Sequence, residues 1–226
     1  MPILFDRDRD SLTDFLTRWY GPPQREPVIG SPAGALVPAE LVEWHRAVSA
    51  WEDPVTFQDY PLPFEELSPE DDQKMIFWVE NQGGYVWAVD LATGKHEVFV
   101  GDPVRRDWET TGLSLGDFLV QATLTEAILG SGNSAFVPSV PVDQAHAVLR
   151  EFTALGIFSA ADPDPGARLY IGSDALAQVA TPPGGYPAGD QHVRLNIAGL
   201  DHDALQRHLS AIDPDLLVWG GTADAW

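Results

Sequence analysis

"MIFWVENQGGYVWAVDL", residues 75–91, decides the fold of this chain. Two apolar runs flank a polar joint, Glu80-Asn81-Gln82-Gly83. In the first run Met75, Phe77 and Val79 alternate with Ile76 and Trp78, so both faces are apolar, as in a central strand. In the second, Tyr85, Trp87 and Val89 alternate with Val86 and Ala88. Asn and Gly accept the positive φ of a tight turn, so residues 81–84 read as a hairpin with Gly83 or Gly84 in the left-handed region. Glu80 closes a strand that is apolar on both faces. It is either exposed at the strand end or partly buried with partners. In the second case its pKa rises and it becomes a candidate general base. No nucleophile or metal-ligand set accompanies it, so the turn reading leads.

Downstream, Thr93-Gly94 marks a turn and His96 to Val100 a third strand, which completes an antiparallel meander. Ser114 and Asp117 have capping-box spacing, and Leu115, Phe118, Leu119, Ala122 and Leu129 mark a long helix ending at Gly130. Upstream, Ser11 and Asp14 repeat that spacing before Leu12, Phe15, Leu16 and Trp19, and Gly21-Pro22-Pro23 stops the helix. Pro38 suits a first helical turn ahead of Leu41, Trp44, Val48 and Trp51. Pro54 to Tyr60 reads as a short edge strand.

Beyond the linker-like "GSGNS" at 130–134, Ala145, Val148, Leu149, Phe152 and Leu155 form a helical stripe. Arg168 to Ile171 and His192 to Ile197 read as strands around an irregular "TPPGGYPAGD" loop. Asp201 caps a helix bearing Leu205, His208, Leu209 and Ile212, and Leu216 to Trp219 reads as a last strand. The expected class is α+β: N-terminal helices, a central antiparallel meander and a closing helix over 1–132, then a small C-terminal α+β unit over 138–226.

Composition narrows the function classes. The chain has 226 residues, enough to bury roughly 70% of its unfolded surface. Against 13 basic residues stand 34 acidic ones, a formal net charge of -21. Such a surface repels nucleic acid and anionic lipid, and it attracts basic partners. Eight carboxylates and no base lie between Ala47 and Gln73: Glu52, Asp53, Asp59, Glu65, Glu66, Glu70, Asp71 and Asp72. A solubilising role alone would also account for them. With no cysteine, disulfides, zinc–thiolate sites and cysteine nucleophiles are excluded. The start, MPILFDRDRD, lacks the pattern of a signal peptide, and no apolar run reaches membrane-spanning length, so a cytoplasmic protein is expected.

The order of "VPAELVEWHRAVSAW", an acidic loop, "FWVENQGGYVWAVD", a further strand and "SLGDFLVQATLTEAILG" resembles the SUKH superfamily, the SMI/KNR-like proteins, over residues 5 to 131. That resemblance implies a sheet preceded by helices and closed by the "DFL" helix. It implies protein binding rather than chemistry: bacterial members resemble immunity proteins that neutralise toxins of polymorphic or contact-dependent systems, and yeast members resemble regulatory scaffolds. No family catalytic residue carries over to this chain.

Other constellations are weaker. His202 and His208 are six apart, which is not the spacing of a zinc pair on one helical face, and His208 sits in an apolar stripe. Asp162 and Asp164 lack the spaced ligands of an EF-hand. Trp108 and Trp226 fall outside clear elements, and folding back over a core is the favoured reading of both. The expectation is a non-enzymatic, cofactor-free and metal-free immunity-type protein. Its eight acidic residues from Glu52 to Asp72 would meet a basic toxin or other protein partner, with no nucleic acid or membrane partner. The alternatives are a housekeeping scaffold, or a small-ligand binder or hydrolase whose pocket holds Glu80, Asp190 or His192.

Overall fold

The computed structural model describes residues 9–28, 37–69, 73–161 and 163–220. The chain is α+β, with two antiparallel sheets and five α-helices among the described residues. It divides into two compact units. One holds the described residues up to Glu126 together with Ser159–Pro163; the other holds Ala127–Phe158 and those from Asp164 on.

In the first unit, α1 (Arg9–Tyr20) and α2 (Ala39–Val48) precede β1 (Tyr60–Pro61), β2 (Lys74–Val79), β3 (Val86–Asp90), β4 (Glu97–Gly101) and β5 (Glu109–Ser114); α3 (Leu115–Leu129) follows, its last three residues counted with the second unit. The five strands pair in chain order as an antiparallel meander. The quoted stretch forms β2 and β3, but strict alternation fails in β2. Ile76 pairs with Ala88 and Trp78 with Trp87, so Phe77 is the extra residue of a bulge. Both Phe77 and Trp78 are therefore buried, and both rings lie edge-on to Phe118 of α3, at 5.2 and 5.8 Å. Trp44 of α2 packs against Trp78 at 5.3 Å and donates its indole N–H to Thr123 Oγ1 of α3 at 2.9 Å. The aromatic spacing along α2, β2 and α3 thus meets in one core. Each such ring is worth about 1.5–3 kcal/mol of burial.

Several expectations need correction. Ser11 lies inside α1, which is already helical at Arg9, so it is no N-cap. Residues 54–59 are irregular, and only Tyr60–Pro61 pairs as an edge strand, because the backbone donors of 57–59 are turned to a side chain instead. His96 has φ +50° and stands before β4 rather than in it. β5 carries no strand-like alternation in its sequence because a bulge breaks it: Thr111 Oγ1 donates to Val98 O at 2.7 Å and Gly112 has φ +73°. The capping box at α3 is present, with Asp117 N–H donating to Ser114 Oγ at 3.2 Å.

In the second unit, β6 (Ser134–Pro141), α4 (Val142–Val148), β7 (Thr153–Ala154), β8 (Arg168–Ile171), β9 (Ala175–Ala180), β10 (His192–Gly199), α5 (His202–Leu209) and β11 (Val218–Gly220) occur in that order. The sheet runs β11-β6-β10-β9-β8-β7, antiparallel throughout. Ala135, Val137, Leu195, Ile197 and Ala177 of the sheet form one core with Ala145 and Val148 of α4 and Leu205 and Leu209 of α5. The stripe read as a helix through Leu155 ends sooner. α4 gives way to a 3-10 turn over Leu149–Glu151, and Phe152 is extended. "GSGNS" is less a linker than the approach to β6, since Ser134 already pairs with Ala198 and Gly220. β6 was hidden by Pro138, which cannot donate to a ladder. The register shift between Val193 and Leu195 of β10 falls opposite it, where a missing N–H is tolerated. Asp201 caps α5 as expected, accepting from Ala204 N–H at 2.7 Å.

Candidate functional site

The joint at 80–84 is a turn. Gly83 has φ +73° and its N–H donates to Glu80 O at 2.9 Å; Gly84 N–H donates to Glu80 Oε2, also at 2.9 Å. Glu80 thus caps its own hairpin. The hairpin tip in turn meets the acidic loop: Asn81 N–H donates to Asp59 Oδ1 at 3.4 Å.

That loop is held from its other side by a residue the sequence reading passed over. Glu126 of α3 is 2% exposed. Its Oε2 accepts the backbone N–H of Phe57 and of Gln58, each at 2.6 Å, and its Oε1 accepts that of Asp59 at 3.2 Å. Burial, and to a lesser extent the charge of Asp59, pushes the Glu126 pKa up to about 7 against the pull of the three donors. Burial and Glu80 likewise push Asp59 up to about 6, although the Asn81 N–H opposes this. Tyr20 of α1 donates its hydroxyl to Val55 O at 3.2 Å, and burial with the Glu126 charge raises its pKa. In α2, burial lowers the His45 pKa to about 4, and its ring packs on Phe64 with centroids 4.4 Å apart. One signal for Glu126 was available: it is flanked by Leu124, Ala127 and Ile128 on a helix whose buried positions lie on several sides.

Two carboxylates with raised pKa values are a usual mark of acid–base chemistry. Here the geometry assigns a different task. Both oxygens of Glu126 are engaged by the protein's own backbone, and the group is closed to solvent. It acts as a clamp that fixes the backbone from Phe57 to Asp59. The clamped loop turns outward: Phe57 is 64% and Tyr60 46% exposed.

Of the eight acidic residues named from sequence, Glu52, Asp53, Glu65 and Glu66 are exposed. Asp59 is half-buried and built into the clamp. Glu70, Asp71 and Asp72 lie outside the described residues. Of the residues offered for an enzymatic pocket, Glu80 belongs to the first unit and Asp190 and His192 to the second. An open groove of about 920 Å³ in the first unit is lined by Asp14, Arg25, Glu26, Arg46 and Trp51, and holds neither Glu80 nor Glu126. Among the described residues no group of three or more His, Asp or Glu is placed to hold a metal ion. His208 is engaged otherwise: it pairs through Nε2 with Asp174 at 3.0 Å and its ring packs on Phe152 at 4.9 Å. Asp174 also accepts from Arg207, and these partners, His208 first, hold its pKa below the usual carboxylate range. Asp162 lies outside the described residues, and Asp164 is ion-paired with Arg194. Trp108 folds back, its ring within 2.8 Å of where a Cβ on Gly101 would sit, so a side chain there would displace the indole. Trp226 lies outside the described residues.

No helix among the described residues is long and apolar enough to cross a membrane. No family model, no curated protein and no solved structure matches the chain.

Proposed function

We propose that this chain is a non-catalytic, cytoplasmic protein-binding protein of the immunity type. It neutralises a basic toxin by covering it with the acidic segment that begins at Glu52, and it needs no cofactor. The observation that carries this reading is the segment fixed by Glu126 at Phe57 to Asp59, which has exposed Glu52 and Asp53 before it in the chain and exposed Glu65 and Glu66 after it. Mutual repulsion among carboxylates costs folding stability, and burying Glu126 adds to that cost. A loop needed only for solubility gains little from being held so firmly. A surface that captures a basic partner gains encounter rate from its charge and affinity from its rigidity. The net charge of -21 disfavours nucleic acid and anionic membrane as partners. The likeness of "ENQG" and "SLGDFL" to the SUKH superfamily supports the same class of function.

The first test is a pull-down from the native cell with the intact chain as bait. A basic protein with a toxin domain is the expected catch. The second is kinetic. Reversing Glu65, Glu66, Glu70, Asp71 and Asp72 to lysine should leave the fold intact and slow association by about ten-fold or more at low salt. Equal on-rates and equal salt slopes for both proteins would remove the acidic segment from the interface.

A further inference from the structure

We propose that Phe57 and Tyr60 are the anchors of the partner interface, and that they take arginine side chains of a basic protein. The inference rests on the reading that the acidic segment faces a basic partner, and it adds the groups that would give that contact its affinity and its preference.

Two large aromatic rings stand in water three residues apart, on a loop that has little freedom to bury them. The backbone N–H groups of Phe57, Gln58 and Asp59 are all committed to Glu126. The Asp59 carboxylate is committed to the tip of the hairpin through Asn81. Tyr60 is paired in register with Val79, and Leu62 N–H donates to Phe77 O at 2.8 Å. From 57 to 62 the chain is thus tied to α3, to the hairpin tip and to β2. Rigid exposed aromatics are the side chains best suited to anchor an interface, because little conformational freedom is lost when they are covered.

Charge decides what covers them. Asp59 lies between the two rings in sequence, and Glu52, Asp53, Glu65 and Glu66 flank them in exposed positions. An apolar or acidic partner would leave these carboxylates uncompensated. A lysine would pair with a carboxylate but gains less on the ring, since its compact ammonium is strongly hydrated. A guanidinium is planar and weakly hydrated: it stacks on an aromatic face while its edge donates to a carboxylate. Exposed rings with exposed acids a few residues away in the chain therefore favour arginine over lysine.

The experiment uses the full chain with two probes of equal charge, nona-arginine and nona-lysine, titrated at low salt by calorimetry. The wild type should bind the arginine peptide about five-fold or more tighter than the lysine peptide. Replacing both rings, Phe57→Ala with Tyr60→Ala, should abolish that preference and leave the lysine affinity within two-fold. The aromatic-conserving pair Phe57→Tyr with Tyr60→Phe should keep it. Both positions are exposed, and matching melting curves establish that each variant folds. Equal affinity for the two peptides, or a preference that survives loss of both rings, overturns the anchor assignment while the acidic-surface reading stands. Binding of neither peptide removes the acidic-surface reading and the anchors with it.

Discussion

Asp59 donates its backbone N–H to Glu126 Oε1 at 3.2 Å, while its carboxylate raises the pKa of the same group. One residue thus attracts Glu126 through its main chain and repels it through its side chain. The loop that carries the exposed aromatics depends on that balance, and so does the pH response of the first unit.

Glu126 and Asp59 both have folded pKa values above their ordinary ones, about 7 against 4.5 and about 6 against 3.8. Each therefore favours the folded state fully below its ordinary value, and that contribution is lost as pH rises through the folded value. His45 acts in the opposite sense. Its folded value of about 4 lies below the ordinary 6.5, so its contribution is present above 6.5 and lost as pH falls toward 4. These three terms together should lower wild-type stability as pH rises from 4 to 7, because the two carboxylates outweigh His45. Glu126→Gln removes one of them. The stability of the variant relative to wild type should rise by on the order of 3 kcal/mol from pH 5 to 8, on top of a pH-independent cost for the backbone N–H that the amide nitrogen cannot accept. Urea denaturation of both proteins across that range measures it, and a pH-independent difference would count against a costly buried charge.

Removing the clamp outright should be worse. Glu126→Ala leaves three backbone donors without their acceptor, at about 1–3 kcal/mol each where they remain dry. A drop in Tm of several degrees is expected, with faster amide hydrogen exchange confined to the segment around Phe57, Gln58 and Asp59. Unchanged exchange there would mean that other contacts hold the loop.

Gly83→Val should cost more than about 1 kcal/mol, since a β-branched residue resists φ +73°. Gly84→Val is the internal control. Gly84 does not have positive φ, and its Cβ would meet only Glu80 Oε2, at 3.4 Å. Melting curves should rank the two, with Gly83 the more sensitive; equal melting points would mean that the turn does not depend on the left-handed residue.

Thr123→Val keeps the shape of a fully buried side chain and deletes the acceptor of the Trp44 indole N–H. The expected loss is about 1–3 kcal/mol, the penalty of a buried donor left unpaired. Serine at the same position should recover part of it by restoring the hydroxyl. Equal stability of the valine variant and wild type in chemical denaturation would show that water reaches the indole.

Local patterns determined much of this fold before any tertiary contact was known. The two-faced apolar runs at 75–79 and 85–89 specified adjacent buried strands around a turn, and the Ser114–Asp117 and Asp201 signals specified two helix starts. These features are legible because each is satisfied within a few residues. What tertiary structure alone decided depends on partners far away in the chain. β5 and β6 carry bulges whose extra residues are accommodated by the neighbouring strand, and alanine-rich β9 has no propensity of its own to announce it. The acidic segment was visible as a charge run. That its loop is fixed, with Phe57 facing water, follows from a glutamate 67 to 69 residues further along. A carboxylate on a helix is ordinarily solvated. Only packing that brings three unpaired backbone N–H groups to it can make its burial tolerable, and no local pattern encodes that meeting.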